Sequence, residues 1–253
     1  MVEVIVEIIS ILPIPDILQA KRVLAIQPHY DDNDIAAGGT LAVLAASGVE
    51  IYYLTVTNDL MGVIDASLTS EAATAQLRRD QEAAGKIIGV RMHYRLDYPD
   101  AGKYDYFDLR LAIIKHIRLV KPDFVIAPDP WLSYEAHHDH VQTGLAAAEA
   151  SILYGLTRIP SGDAAVDAAY DGHELYGIGF YYTRDPNTIV DISRMHDNKE
   201  QAVRCYQTQF LPDGMEQLLI VLDIKSRQLA EGRDFTYGEG FKVLNPIALH
   251  CGI

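Results

Sequence analysis

Cysteine is scarce in this chain: Cys205 and Cys251 are its 2 thiols among 253 residues. Neither belongs to a CxxC pair, so no thiolate metal cluster and no disulfide-stapled scaffold is encoded, although one bridge is possible. Positive charge is the second shortage. Lys and Arg total 21 against 35 Asp and Glu, a formal net charge of -14, and at most 2 basic residues are adjacent. Without a basic stripe to neutralise phosphates, nucleic acid is excluded as a partner and anionic polymers are poor substrates. A neutral small molecule fits better. Three signatures are also missing: a GxGxxG dinucleotide fingerprint, a GxSxG nucleophile elbow and a glycine-rich phosphate loop ending in Lys-Ser/Thr. The apolar stretch Val2 to Leu18 is broken by Glu3, Glu7, Pro13, Pro15 and Asp16 and has no basic n-region. It therefore reads neither as a signal peptide nor as a membrane span. Residues 1–20 are expected to form an apolar extension, a leading helix or strand packed on the domain or on a sister subunit. A cytoplasmic location is the default expectation.

Apolar residues make up 49% of the chain, which excludes general disorder and supports a sizeable core. No linker, repeat or low-complexity tract divides it, so residues 1–253 are expected to form a single domain. The periodicities alternate strand and helix. Arg22 to Gln27 reads as a buried strand ended by Pro28, followed by a helix from about Ile35 to Ser47 for which Asp32, Asn33 and Asp34 are plausible caps. Gly38-Gly39 inside that helix implies a close approach. Strands are predicted at Val49 to Thr57, Arg91 to Leu96, Asp123 to Ala127, Leu175 to Tyr182 and Thr188 to Ile192. Helices are predicted at Glu71 to Ile88, Phe107 to Val120, His137 to Tyr154, Met195 to Tyr206 and Asp213 to Ala230. Residues 157–174 read as an insertion near the site, with His173 in reach of it. This order predicts an α/β fold, a mostly parallel sheet covered by helices, with ligands collecting beyond the carboxyl ends of the strands.

Two clusters carry the chemistry. His29-Tyr30-Asp31-Asp32 follows the first strand, and His137-His138-Asp139-His140 opens a helix after the fourth. A catalytic zinc site uses three protein ligands and leaves one position open. His29 and Asp32 share a tight turn and can meet at one centre. His137 and His140 lie three apart, on one side of their helix. His140 is favoured as the third ligand and His137 as the outward group, although spacing alone does not separate them. Asp31 is then free as a general base for an attacking water. His137 would steady the oxyanion or protonate the leaving amine, with Asp139 orienting it. Tyr98, Tyr104, Tyr106, Trp131 and Tyr134 lie near the same rim, where aromatics stack on a sugar or simply anchor loops. Alone, each cluster has an ordinary reading: helix caps for Asp31 and Asp32, a solvated side chain for His138. Their joint position on one rim is what points to metal-assisted hydrolysis.

At these residues the chain resembles the PIG-L or LmbE-like de-N-acetylase superfamily. Its first motif, Pro-His-Pro-Asp-Asp-Glu followed by Gly-Gly, is matched by Pro28-His29-Tyr30-Asp31-Asp32-Asn33 and Gly38-Gly39. Its second, His-Pro-Asp-His with a glycine four residues on, is matched by His137-His138-Asp139-His140 and Gly144. The resemblance implies a Rossmann-like three-layer sandwich and a Zn2+ ion, or another divalent ion, held by His29, Asp32 and His140. It implies Asp31 as base, His137 and Asp139 as its helpers, and Asp100 in Tyr98-Pro99-Asp100 on sugar hydroxyls. An arginine at Arg78 or Arg79 is implied as a substrate contact. The departures are Tyr30 and His138 for prolines, Asn33 for glutamate, and Tyr206 for histidine in Lys199…Ala202…Tyr206…Gln209. Glu239 and Phe241 match a closing Glu-x-Phe. The expected substrate is an N-acetylglucosamine-type sugar or conjugate. The alternatives are another acyl-amide and a non-catalytic carbohydrate-binding role. A homo-oligomer is the partner that the resemblance implies, with a hexamer among the family's forms.

Overall fold

The structure is a computed structural model that describes residues 12–250. Cys251 and the first half of the expected N-terminal extension lie outside the described residues. Seven strands form one sheet: β1 (Arg22–Gln27), β2 (Glu50–Thr57), β3 (Val90–Tyr98), β4 (Phe124–Pro128), β5 (Gly177–Tyr181), β6 (Thr188–Asp191) and β7 (Gly238–Leu244). Their spatial order is β3-β2-β1-β4-β5-β7-β6. The first five run parallel, and β7 enters antiparallel between β5 and β6.

The helices are α1 (Asp32–Ala46), α2 (Ser70–Ile88), α3 (Tyr106–Val120), α4 (His138–Leu153), α5 (Ala164–Ala169), α6 (His196–Val203) and α7 (Pro212–Ala230). Val23, Leu24, Ala25 and Ile26 are all fully buried, because both faces of β1 are covered. Val23 and Ala25 pack with Leu41, Leu77 and Ala202, from α1, α2 and α6. Leu24 and Ile26 face the opposite core, with Ile113 and Ile117 of α3 and Ala146 and Ala150 of α4. The result is the expected three-layer sandwich. Each such aliphatic side chain contributes roughly 1.5–3 kcal/mol by leaving water.

Local signals set the helix ends. Thr69 caps α2 by accepting from the Ala72 amide, and Gly89 ends it at φ 97. Asp105 accepts from the Phe107 and Asp108 amides to start α3. The close approach expected at Gly38-Gly39 is real: a Cβ on Gly39 would sit 2.7 Å from the Ile192 side chain. The Gly39 and Thr40 amides also donate to the buried Glu239 carboxylate, which pairs with Lys199.

Two features differ from the sequence reading. Strand β7 escapes the periodicity because Gly238 and Gly240 dilute it, and its pairing with β5 is long-range. The 157–174 segment does not reach the site. Arg118, near the end of α3, donates to the Ile159 carbonyl and to Asp167, and Lys121 pairs with Asp171. Since α3 runs opposite to the strands, this places the segment at their amino ends. His173 sits there too, with its carbonyl accepting from Tyr154.

Candidate metal centre

From β1 the chain crosses through α1 to β2 on one side; from β4 it crosses through α4 to β5 on the other. The crevice beyond the carboxyl ends of β1 and β4 is thus the switch point at which open α/β sheets place ligands. Both histidine clusters open into it.

The first turn is tied to its surroundings by backbone and side-chain bonds. Gln27 spans it, accepting from the Asn33 amide at 2.8 Å and donating to the Tyr30 carbonyl at 3.1 Å. The His29 amide donates to Asp32 Oδ2 at 3.0 Å. The Tyr30 amide, which a proline would lack, donates to Asp59 Oδ2 at 2.9 Å. Asn33 is fully buried and donates to the Ala25 carbonyl, so an uncharged amide stands where the family motif carries a carboxylate. Helix α1 begins three residues earlier than expected, at Asp32. Asp31 precedes it, but its side chain makes no capping bond and lines the cleft.

The second turn brings the imidazoles across. His140 Nε2 lies 3.4 Å from Asp32 Oδ1, and its Nδ1 lies 3.5 Å from Glu135 Oε2. The Tyr182 ring stacks on His140, and its hydroxyl donates to Asp32 Oδ1 at 3.4 Å. His137 stands edge-on to His29, with ring centroids 4.6 Å apart, and its side chain is 44% exposed. His138 points to solvent and meets Gln142.

The ligand atoms of His29, Asp32 and His140 all lie within 4.8 Å of one another, as do those of His29, Asp100, His137 and Asp139. His29 belongs to both groups. Its Nδ1 is 3.1 Å from Asp32, while its Nε2 is 3.3 Å from Asp100 and 3.6 Å from Asp139. His29 Nδ1 and His140 Nε2 both face the Asp32 carboxylate, at 3.1 and 3.4 Å, so one ion could meet all three residues. The cluster can hold a divalent metal such as Zn2+.

The electrostatics fit a cation. Burial opposes charge on His29, yet Asp100, Asp139 and Asp32 push its pKa far above the ordinary value. Asp32 is held low against its burial by His140 and His29. Against desolvation, half-buried Asp100 and buried Asp139 are held low by His29 and by the Met61 and Ala101 amides, respectively. Asp31 moves the other way: burial, then Asp32 and Asp59, raise it well above a usual carboxylate. Burial raises Asp59 to about 7. Buried carboxylates this dense are normally paired or bound to a metal.

The remaining expected residues divide. Asp100 is in the cleft, where its Oδ2 accepts from the Met61 amide at 2.8 Å. Asp139 accepts from the Ala101 amide at 2.9 Å and the Tyr104 hydroxyl at 2.7 Å, whereas His137 Nδ1 is 4.0 Å away. That separation is too long for the orienting bond expected between them; Asp139 instead ties the β3–α3 loop to α4. Tyr98 stacks against Tyr104, behind this loop. Arg78 pairs with Asp97 at 2.9 Å, Arg79 is exposed, and neither lines the cleft. Trp131 packs edge-on against Phe180 over a separate cavity of about 280 Å³.

The sequence reading assigned no role to Asp59, Met61 or Gln209, which line the cleft of about 350 Å³ beside His29. Asp59 follows β2 at its carboxyl end, on the same rim. It adopts φ 55 and accepts from Gln209 Nε2 at 2.8 Å. That bond leaves Gln209 Oε1 buried and unpartnered, an acceptor for a substrate hydroxyl or N–H. Among the described residues no helix is long and apolar enough to cross a membrane.

Comparison with known proteins agrees with this geometry. The profile of the PIG-L family, described as GlcNAc-PI de-N-acetylase, matches residues 24–151. A diacetylchitobiose deacetylase of Thermococcus kodakarensis is 34% identical over 230 residues, covering 91% of this chain and 85% of that protein. A probable N-acetyl-alpha-D-glucosaminyl L-malate deacetylase of Bacillus anthracis is 30% identical over 200 residues, covering 75% of this chain and 82% of the relative. The solved N,N'-diacetylchitobiose deacetylase of Pyrococcus horikoshii superposes with a TM-score of 0.83 at 36% identity, over 92% of this chain and 86% of that one. With its paired motifs on the expected rim and these matches across most of its length, the chain belongs to the PIG-L, or LmbE-like, de-N-acetylase family of metal-dependent hydrolases.

Proposed function

We propose that this chain removes the acetyl group from a small N-acetylated amino sugar: N-acetylglucosamine, its short chitin oligomers or a glucosaminyl conjugate. One observation carries the reading. His29, Asp32 and His140 converge at the switch point while Asp31, in the same cleft, is left without a structural hydrogen bond from its side chain. Relatives that act on diacetylchitobiose and on a glucosaminyl malate support the substrate class.

The proposed roles follow from the surroundings. His29, Asp32 and His140 would hold a divalent ion, which would supply Lewis acidity for amide hydrolysis. Asp31 takes the proton from the attacking water as the water oxygen bonds to the carbonyl carbon. Burial beside Asp32 and Asp59 raises its proton affinity above that of an ordinary carboxylate. The carbon–nitrogen bond then breaks, acetate leaves, and the amine nitrogen takes up a proton. His137, at the open edge of the cleft, is placed to deliver it. Asp100 and Gln209 line the walls where sugar hydroxyls would bind. The strongly acidic chain ranks a neutral sugar above an anionic conjugate such as the malate.

Amine release from N-acetylglucosamine, its dimer and a glucosaminyl conjugate, with zinc added and then chelated, tests this reading. Zinc-dependent release supports it and ranks the substrates. No release from any of them by the metal-loaded protein would redirect the search to another acyl-amide. We also propose a cytoplasmic protein that assembles with copies of itself. Ile220, Val221 and Ile224 form an exposed apolar stripe on α7, which supports self-association and is checked by sedimentation.

A further inference from the structure

The Tyr30 carbonyl lies one bond away from the Asp31 amide, between the two halves of the metal turn. Three side chains converge on it: Tyr206 donates from its hydroxyl at 2.9 Å, Gln27 at 3.1 Å and Gln81 at 3.3 Å. A carbonyl oxygen has two lone pairs, so burial alone does not call for three donors. All three donor residues and Tyr30 itself are inaccessible to solvent. They come from separate parts of the chain: Gln27 ends β1, Gln81 lies in α2, and Tyr206 follows α6. The two glutamines also share the Thr55 hydroxyl as an acceptor, which locks them to β2. On the other side of Tyr30, its amide is held by Asp59. Both peptide groups of Tyr30 are therefore fixed from outside, with His29 before them and Asp31 and Asp32 after.

We infer that Tyr206, acting with Gln81 through the Tyr30 carbonyl, is a positioning residue that presets the turn carrying His29, Asp31 and Asp32 for the metal and for proton transfer. This rests on the metal site proposed above. The structure supplies its own control. Tyr53 donates to one oxygen of the Asp34 carboxylate, the single Tyr206 hydroxyl hydrogen is shared between the other oxygen and the Tyr30 carbonyl, and both tyrosines are fully buried. Only Tyr206 also reaches the Tyr30 carbonyl. Tyr53→Phe and Tyr206→Phe thus remove the same kind of hydroxyl from the same carboxylate, and the second alone loosens the turn.

The test is zinc affinity of the full metal-stripped chain, read by competition with a chromophoric chelator, alongside kcat and KM for the best N-acetyl sugar. Remote partners of metal ligands change affinity or activity by about 10–100-fold. Tyr206→Phe is expected to weaken zinc binding by about 10-fold and to lower kcat with little change in KM. Tyr53→Phe should leave zinc affinity unchanged. Gln81→Met, which removes a second donor with similar volume, should weaken zinc binding in the same direction and serves if Tyr206→Phe does not fold. Equal zinc affinity in wild type, Tyr206→Phe and Gln81→Met would overturn the inference. So would equal weakening by the two tyrosine variants, which would assign the effect to Asp34. A wild type that binds zinc but hydrolyses no sugar would remove the substrate reading and leave this inference to stand or fall on affinity. A wild type that takes up no zinc would overturn both.

Discussion

The two turns that face each other across the cleft are held in opposite ways. From His29 to Asp34 every residue is buried, and neighbours from the turn after β2, from α2 and from the segment after α6 fix its backbone. From His137 to His140 the chain opens a helix at the surface. His137 and His138 are exposed, and Glu135 supplies the local bond to the His137 amide. The difference matches the work each is proposed to do. Metal ligands and a base need fixed mutual geometry, which a buried and over-bonded turn provides. A group that hands a proton to a departing amine must meet the substrate at the open side. Two residues of the second turn are exceptions: Asp139 is buried and tied to the β3–α3 loop, and His140, less exposed than His137, lies over Asp32 with the Tyr182 ring stacked on it.

The largest effect expected from breaking this contrast is at His140. His140→Ala should abolish turnover and reduce bound zinc, measured by atomic emission, from one ion per chain to nearly none. Retention of the ion would shift the site to the other group around His29, formed with Asp100, His137 and Asp139. Asp31→Asn should keep the metal and lower kcat by about 10³-fold, since general bases contribute 10²–10⁴-fold. Full activity in that variant would remove Asp31 as the base. His137→Ala should keep the metal and lose about 10²-fold in kcat, at the lower end of the same range. If zinc is lost instead, the exposed histidine belongs with the fixed set and the contrast between the turns fails.

The smallest effect sharpens what holds the buried turn. Burial raises Asp34 to about 6, although Tyr206, Tyr53 and Lys199 favour its charged form. A carboxyl whose folded pKa is raised binds its proton more tightly when folded. Its contribution is therefore lost as pH rises from the unfolded value toward 6 and above. At about 1.4 kcal/mol per unit, the stability of wild type relative to Asp34→Asn should fall by roughly 2 kcal/mol between pH 4 and pH 7. Urea unfolding of chelated protein at the two pH values checks this. A difference independent of pH would show that Asp34 titrates alike in both states.

Much of this was legible in residue order. The buried run Val23-Leu24-Ala25-Ile26 and the helical periodicity of residues 71–88 and 107–120 act over a few residues, so their elements are readable from the chain. Strand β7 was not, because its partners β5 and β6 lie far away in sequence and its glycines blur the alternation. The same physics divides the site. His29 and Asp32 share a turn and bond to each other, and their partnership follows from spacing. Asp59 and Gln209 carry no local signal, and they meet only because β2 and the segment after α6 end at the same rim.

By itself the sequence determined the layered α/β class, the two histidine–aspartate clusters and their places after the first and fourth strands. These depend on short-range periodicity and on residue chemistry. The tertiary structure alone decided that Asp139 ties down a loop instead of bonding to His137, that Arg78 turns to Asp97, and that the 157–174 segment lies at the far end of the sheet. It alone gathers Gln27, Gln81 and Tyr206 on one carbonyl. Such contacts join positions up to 176 residues apart. Which distant groups meet is fixed by how strands and helices pack, and no local pattern in the chain records it.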